Sequence, residues 1–190
     1  MVQARLNVDD KALVHRARRG EERAFEELVR RHTDLAYRVS LRMMRNPHDA
    51  EYTTQVAFLR AWEALDGFRG DAAFTSWLYR IVTTTCLDQL RARRHWEEVP
   101  DTLVDPRANP LDDVIAAESA DVVRAAIGCL SPGDRAAFLL RTFEQLSYAE
   151  VGTVLDVSVG AVRSRLRRAR TRIADALEAA QAIKEDDRGR

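Results

Sequence analysis

The sequence contains little that would support a secreted, membrane-spanning or metal-binding protein. Its 190 residues include two cysteines, which fall in no paired motif and are expected to be small core residues. Its four histidines lack the spacing of metal ligands and are expected at the surface or half-buried. A disulfide framework or a zinc site is therefore not expected. No apolar run is long enough to cross a bilayer, and the first residues lack the apolar core of a signal peptide. We expect a cytoplasmic protein without membrane insertion.

Signatures of catalysis are also missing. The sequence has no HExxH motif, no phosphate-binding glycine loop and no nucleophile with a nearby base. We therefore expect no enzyme activity, no catalytic residues, no cofactor and no bound metal.

The chain carries no net charge, because 30 basic residues balance 30 acidic ones. That total by itself argues against nucleic-acid binding. The distribution is uneven, however: six arginines and no acid lie between Arg163 and Arg172, whereas acids gather between Glu97 and Asp121. Blocks of opposite sign act on a polyanion over short distances, so one basic segment remains a candidate for contact with nucleic acid.

All periodic segments have helical spacing, and none has the alternation of a strand, which predicts an all-α fold. Asp9 is expected to cap the first helix, Asn46-Pro47 to separate two others, and Thr75 or Ser76 to cap a fourth. Periodicity stops where Pro100, Pro106 and Pro110 recur among acids. We predict two small helical domains, joined by a flexible linker: a three- or four-helix bundle (9–95), an acidic linker (96–112), a helix-turn-helix domain (113–181) and a disordered tail (182–190).

A helix-turn-helix is predicted at about 148–167. Ser147 and Glu150 have the spacing of a capping box, Asp156 suits a left-handed turn position, and Ser158 suits the cap of the last helix. The inner face of that helix is expected to consist of Val159, Val162, Leu166, Ala169 and Ile173.

The outer face of the last helix is expected to bind DNA in the major groove. Early residues would reach base edges, namely Ser158, Gly160, Ala161, Arg163 and Ser164. Arg165, Arg167 and Arg168 would reach phosphates. An arginine-rich helix can also be a solvated surface, but the capped helix and turn before it favour DNA binding.

Aromatic residues surround a glycine-containing loop in the first half of the chain. They interleave with arginine, which is the composition of a platform for unpaired bases. The set is Trp62, Phe68, Arg69, Phe74, Trp77, Tyr79 and Arg80. The alternative is a bundle core. We expect Trp62 and Phe74 to fill the core, and both roles stay open for Phe68, Arg69, Asp71 and Tyr79.

These motifs, in this order over about Phe25 to Leu177, resemble those of extracytoplasmic-function (ECF) sigma factors of the sigma-70 family. The family implies binding to bacterial RNA polymerase core, through the clamp helices of its largest subunit and its flap region, and to promoter DNA. It further implies that an anti-sigma protein holds many such factors inactive.

The resemblance also assigns residues. Core binding falls on Asp49, Glu51, Gln55, Phe58, Leu59, Arg60 and Trp62. Binding and melting of the −10 element fall on Phe68, Arg69, Gly70, Asp71, Trp77, Tyr79, Arg80 and Thr84. The helix-turn-helix residues named above would bind the −35 element. The sequence departs from the family at Tyr52 and Val56, where acids are usual, at Thr53, where an aliphatic is usual, and at Thr84, where asparagine is common.

Two other functions remain open at this point. A free-standing helix-turn-helix regulator would bind duplex DNA without polymerase at a palindromic site. A helical adaptor would place its basic face on an acidic protein. The aromatic loop and the linker favour the sigma factor, because a regulator needs no melting platform.

Overall fold

The computed structural model describes residues 2–68, 70, 73–96 and 117–188. The chain is divided into two compact units, Met1–Val99 and Pro100–Arg190. Each regular element within the described ranges is helical, which confirms the all-α prediction. None of the described helices is both long and apolar enough to span a bilayer. Arg69, Asp71 and most of the predicted linker lie outside the described residues.

The N-terminal unit is built around one central helix. Its helices are α1 (Val2–Ala17), α2 (Glu22–Met44), α3 (Pro47–Ala64) and α4 (Phe74–Trp96), with a 3-10 turn at Leu65–Gly67. α2 packs against each of the other three. Leu28 and Met43 of α2 are almost fully buried, as are Leu78 and Val82 of α4. The unit is thus a four-helix bundle.

Helix starts in this unit follow the predictions only in part. The Asn46 side chain accepts a hydrogen bond from the Asp49 N–H at 3.2 Å, and Pro47 opens α3. The predicted caps at Asp9 and at Thr75 or Ser76 are wrong, because α1 begins at Val2 and α4 at Phe74. At α4 the carbonyl of Ala73 accepts from the Ser76 N–H, so the helix starts two or three residues earlier than predicted.

The C-terminal unit is organised by its last helix. Its helices are α5 (Ala117–Gly128), α6 (Pro132–Thr142), α7 (Tyr148–Leu155) and α8 (Val159–Arg188). α8 packs against the other three, and Leu140, Val151, Val162 and Leu166 are buried. The tail predicted to be disordered from residue 182 is helical through Arg188. Alanine and glutamate in this stretch favour helix, which explains the difference.

A buried arginine closes α5. The Arg135 guanidinium donates to the carbonyls of Ile127 at 3.2 Å and Leu130 at 3.3 Å, and also to that of Gly128. The last carbonyls of a helix have no hydrogen-bond donor within the helix, and the Arg135 side chain supplies the missing donors. α6 then begins as predicted, with Ser131 as cap and Pro132 as first residue.

The two cysteines differ. Cys86 is buried, and its desolvation raises the pKa of the thiol to about 12. The expectation that Cys129 is also a core residue is wrong, since it is exposed. It directly follows the last residue of α5, and the buried position after that helix is taken by its neighbour Leu130.

The turn between α7 and α8 is tight. Asp156 takes the left-handed conformation predicted for it, with φ 53° and ψ 50°. A Cβ atom added to Gly152 would lie 2.8 Å from the carbonyl oxygen of Val157, closer than real Cβ contacts occur. Glycine at this position therefore permits the close approach of the two helices.

Candidate nucleic-acid and polymerase interfaces

A complete capping box starts α7. The Ser147 N–H donates to Glu150 Oε2 at 2.7 Å, and the Glu150 N–H donates to Ser147 Oγ at 3.2 Å. The hydrogen bonds from Ser147 hold the pKa of the Glu150 carboxyl below its usual value. The predicted helix-turn-helix start is confirmed, and the first residue of α7, Tyr148, is fixed by it.

The first turn of α8 is open to solvent. Ser158 caps it, accepting from the Ala161 N–H at 3.2 Å, and Ser158 and Gly160 are exposed. The prediction that Val159 lies on the inner face is wrong, because it is 38% exposed. Side chains in a helix tilt toward its N-terminus. The side chain of Val159, the first residue of α8, therefore points past the end of the helix, where no other turn of α8 covers it.

The arginines of α8 fall into two groups. Arg163 and Arg167 are exposed, and Ser164 is half-buried. Arg165 lies over α6, with its guanidinium carbon 3.4 Å from where a Cβ of Gly133 would be. Arg168 also reaches α6, so two of the three arginines expected at phosphates are directed within the unit.

Arg168 forms a two-pronged ion pair with Asp134. Its Nη2 donates to Oδ1 at 2.7 Å and its Nε to Oδ2 at 3.2 Å. Burial alone would raise the pKa of Asp134, but hydrogen bonds from Arg168 and Ser131 outweigh it and hold that pKa below its usual value. The pair ties the start of α6 to the middle of α8.

Tyr148 contacts two guanidinium groups. The Cζ of Arg141 lies 5.5 Å from the ring centroid and that of Arg163 lies 6.0 Å from it. Both distances are within the range of a cation–π interaction. Sequence reasoning missed this contact, since the three residues come from three helices.

An apolar strip lies exposed on α3. Tyr52 is 61% exposed, Leu59 63% and Trp62 39%. Glu51 and Gln55 are exposed beside them. Phe58, predicted to bind polymerase, is buried in the bundle instead. Phe58 lies on the inner face of α3 with Ala57 and Ala61, and the next residue in the sequence, Leu59, belongs to the exposed strip.

Two charged residues of α3 are already paired with α4. Asp49 forms an ion pair with Arg93. Arg60 Nη1 donates to Asp88 Oδ2 at 2.9 Å and to Thr85 Oγ1 at 3.3 Å. These contacts cross-link the outer edges of the two helices, so both predicted polymerase-binding charges also have a structural role.

The predicted aromatic platform is mostly buried. Phe68 and Tyr79 are each 6% exposed and Phe74 is 2% exposed. The Phe68 ring centroid lies 5.1 Å from that of Trp77, which is half-buried, and 6.1 Å from that of Phe74. The core role therefore holds for Phe68, Phe74 and Tyr79 in this structure. Trp62, expected in the core, contacts Phe25 at 4.8 Å but remains partly exposed.

Other residues of this region stay at the surface. Arg80 and Thr84 are exposed one turn apart on α4. Gly70 has φ +79°, a conformation that favours glycine. The side chain of Arg18, just after α1, donates to the carbonyl of Phe68 at 3.2 Å. An N-terminal residue thus contacts the segment that precedes the loop.

A buried polar pair supports the aromatic cluster. His32 Nε2 lies 2.9 Å from Asp10 Oδ2, and the His32 ring centroid lies 5.2 Å from that of Phe74. The expectation that the histidines are surface or half-buried residues is wrong for His32, which is 6% exposed. Its partner is 22 residues away, so no local pattern shows the pair.

Within the described part of the chain, no group of three possible ligands is placed to hold a metal ion.

Family models match both units. Sigma-70 region 2 matches residues 28–95, and Sigma-70, region 4 matches residues 120–173. The RNA polymerase sigma-H factor of Pseudomonas aeruginosa is 36% identical over 181 residues, covering 89% of this chain and 94% of that protein. The chain belongs to the ECF sigma factors of the sigma-70 family.

Other sigma factors extend the comparison. The ECF sigma-E factor of Escherichia coli K12 is 34% identical over 178 residues, covering 86% of this chain and 92% of that protein. CnrH, solved in complex with the cytosolic domain of CnrY, is 28% identical with a TM-score of 0.66 and covers 90% of this chain and 98% of its own. RpoE of Bartonella quintana, solved with the anti-sigma factor NepR, shares the fold at 20% identity, with a TM-score of 0.68 and coverage of 81% and 96%.

The family gives the function. As an ECF sigma factor, the chain is a transcription initiation factor that binds RNA polymerase core and promoter DNA. The region 2 match separates it from a free-standing helix-turn-helix regulator, which the region 4 module alone would not do. The region 2 match begins within α2, at residue 28, and leaves α1 outside, although α1 supplies the buried Leu13, Val14 and Ala17.

Proposed function

We propose that this sigma factor divides promoter recognition between its two domains and performs no catalysis itself. The domain at 9–95 binds core polymerase and opens the −10 region, and the domain at 113–181 binds the −35 element. The acidic segment 96–112 follows the basic cleft of polymerase toward the RNA exit path, where its charge mimics nucleic acid. The protein works in the cytoplasm, where the polymerase is.

The exposed apolar strip on α3 is the observation that carries the proposal. Large apolar side chains at a surface mark a protein interface when they are contiguous. The half-buried Val56 lies between Tyr52 and Leu59 at helical spacing and makes the strip continuous. Glu51 and Gln55 flank it. We assign this face to the polymerase clamp helices, with Leu59 and Trp62 as its apolar anchors. Asp49 and Arg60 support it through α4, and Phe58 supports it from below.

The assignments at the −10 element rest on exposure. Arg80 and Thr84 are exposed on α4 and can contact DNA directly. Phe68 and Tyr79 are buried and Trp77 is half-buried, and Arg69 and Asp71 flank Gly70 in the sequence. We propose that the loop at Gly70 accepts an unpaired base of the non-template strand, which requires an aromatic side chain to leave its packed position.

At the −35 element, the exposed start of α8 enters the major groove. Ser158, Gly160 and Ala161 permit close approach, and Arg163 and Ser164 contact base edges. Arg167 contacts a phosphate. Arg165 and Arg168 face α6, and we propose that they act first by fixing α8 in the unit.

An anti-sigma protein is a further proposed partner. CnrH, which the chain resembles over nearly its full length, was solved with the cytosolic domain of CnrY. A protein that covers the α3 strip would prevent polymerase binding. Competition between that protein and polymerase core for this chain would test the assignment.

Transcription in a purified system tests the proposal as a whole. Core polymerase is mixed with supercoiled genomic DNA, with and without this protein, and RNA start sites are mapped. New start sites that share upstream elements are expected. Their absence, together with tight binding to duplex DNA without polymerase, would contradict the proposal and favour a regulator.

A pair of variants tests the polymerase face. Leu59→Asp places a charge on the strip and is expected to abolish co-purification with core at low salt. Phe143→Asp, at a large apolar side chain of the other unit that is 42% exposed, is the control and is expected to leave co-purification intact. Equal loss in both would show that the defect comes from folding.

A further inference from the structure

Tyr148 connects the start of the helix-turn-helix to its exposed arginine. Its ring lies 6.0 Å from the Cζ of Arg163 on α8 and 5.5 Å from the Cζ of Arg141 on α6. A guanidinium at such a distance from an aromatic ring is held by the charge distribution of the ring. One side chain therefore contacts two arginines from different helices.

The ring itself is firmly placed. Tyr148 directly follows Ser147, whose backbone and side chain are both engaged by Glu150. The ring is half-buried, and tyrosine has only two side-chain torsions to restrict. The capping box thus fixes the base from which the ring reaches Arg163.

Arg163 needs such support. It is exposed, and among the described side chains the Tyr148 ring is its contact outside its own helix. A free arginine populates many rotamers and loses that freedom when it binds DNA. Repulsion from Arg141, on the same ring, disfavours conformations in which Arg163 folds back across it.

We propose that Tyr148 is a positioning residue for −35 recognition: it holds the Arg163 guanidinium ready to bind a base edge. The inference rests on the proposed base contact of Arg163. It assigns Tyr148 no contact with DNA. The ring acts through Arg163, so its effect falls on the choice of base more than on overall affinity.

The experiment is a double-mutant cycle in reconstituted holoenzyme. The probe is a promoter taken from one of the mapped start sites, with its −35 element randomised, and bound sequences are counted. Tyr148→Leu is expected to reduce the preference at the base pair contacted by Arg163 about two- to fivefold. Tyr148→Phe keeps the ring and is expected to keep the preference. In an Arg163→Ala background, Tyr148→Leu is expected to change nothing further at that base pair.

Side-chain NMR of the full chain without DNA gives a second measurement. Tyr148→Leu is expected to remove the ring-current shift of the Arg163 side-chain protons and to increase their mobility, whereas Tyr148→Phe preserves both. Phe143→Leu, at an exposed aromatic of the same unit, is the control and should affect neither Arg163 nor base preference.

Several outcomes overturn the inference. Equal damage from Tyr148→Phe and Tyr148→Leu would show that the hydroxyl contacts DNA directly. Additive effects of Tyr148→Leu and Arg163→Ala would show that the residues act separately. An unchanged Arg163 spectrum in Tyr148→Leu would show that the ring does not hold it. If Arg163→Ala itself leaves every −35 preference unchanged, the proposed base contact fails instead, which is a different result.

Discussion

The two units present their candidate DNA-binding residues in opposite ways. In the C-terminal unit, Arg163 and Arg167 are already exposed on a capped helix, and groove binding needs no rearrangement. In the N-terminal unit, Phe68 and Tyr79 are packed among other rings. An aromatic side chain that stacks on an unpaired base must first leave that packing. Under the proposed assignments, the −35 surface is preformed, whereas capture of an unpaired base in the −10 region requires Phe68 or Tyr79 to leave its packed position.

The largest expected effect separates the two cores. Leu78 in the N-terminal unit and Leu166 in the C-terminal unit are almost fully buried. Truncating either to alanine leaves a cavity and should cost about 3 kcal/mol of stability. Hydrogen exchange measured by mass spectrometry should show faster exchange in the mutated unit alone. Faster exchange in both units from one substitution would show that the cores are not independent.

The next effect concerns the apolar strip. Leu59→Ala should weaken binding to core polymerase about tenfold, because an exposed anchor at an interface contributes mainly to binding. Its thermal unfolding should stay close to that of the unmodified chain, since Leu59 is 63% exposed. Binding is measured by titration with labelled core. Phe143→Ala in the C-terminal unit is the control, and an equal loss of affinity there would remove the assignment from α3.

A smaller effect distinguishes two neighbouring arginines of α8. Arg167→Ala should weaken promoter binding evenly across −35 variants and lower the slope of log affinity against log salt by about one. Arg168→Ala should leave that slope nearly unchanged and lower the thermal stability of the C-terminal unit, because Arg168 is paired with Asp134. A lowered salt slope in both variants would return Arg168 to the phosphate contacts.

The smallest effect is a dependence on pH. Hydrogen bonds from Arg168 and Ser131 lower the pKa of Asp134 in the folded chain against the burial that would raise it. A carboxyl whose pKa is lowered by folding stabilises the fold above its unfolded pKa, about 4, and loses that contribution as the pH falls. Denaturant titrations from pH 7 to pH 2 should therefore show the C-terminal unit weakening in acid. Asp134→Asn should flatten this dependence.

The N-terminal unit offers a contrast for the same titration. Hydrogen bonds from Arg30 and Arg31 lower the pKa of Glu27 to about 2. Arg30 is exposed and Glu27 half-buried, so added salt screens that cluster more than it screens the buried Asp134. Glu27→Gln should therefore alter acid stability less at high salt than Asp134→Asn does. The reverse order would mean that the surface cluster is the stronger of the two.

Local signals accounted for the parts of the structure that depend on a few consecutive residues. The capping box of Ser147 and Glu150, the left-handed Asp156 and the Asn46-Pro47 start all involve interactions within four residues. The helical periodicity likewise located most of the inner face of α8, where Val162, Leu166 and Ala169 are buried. Such features are visible in a sequence because the groups that stabilise them are neighbours.

Contacts between distant residues account for the errors. Nothing near His32 indicates Asp10, and nothing near Arg168 indicates Asp134. The sequence alone therefore predicts a surface or half-buried histidine and a phosphate contact, where the structure shows a buried pair and an ion pair. The aromatic loop had the composition of both a core and a platform. Only the packing of Phe68 against Phe74 and Trp77 decides between them in the free chain.

Gly152 sets a limit on how this protein can be re-engineered. Its missing side chain leaves room for the Val157 carbonyl at a distance that no other amino acid tolerates. Arg163 and Arg167, exposed on α8 and proposed to bind DNA, can be substituted without disturbing that contact. Gly152, which sets the turn between α7 and α8, cannot be substituted in this way. A library that seeks altered promoter choice should therefore vary the exposed residues of α8 and keep Gly152 fixed.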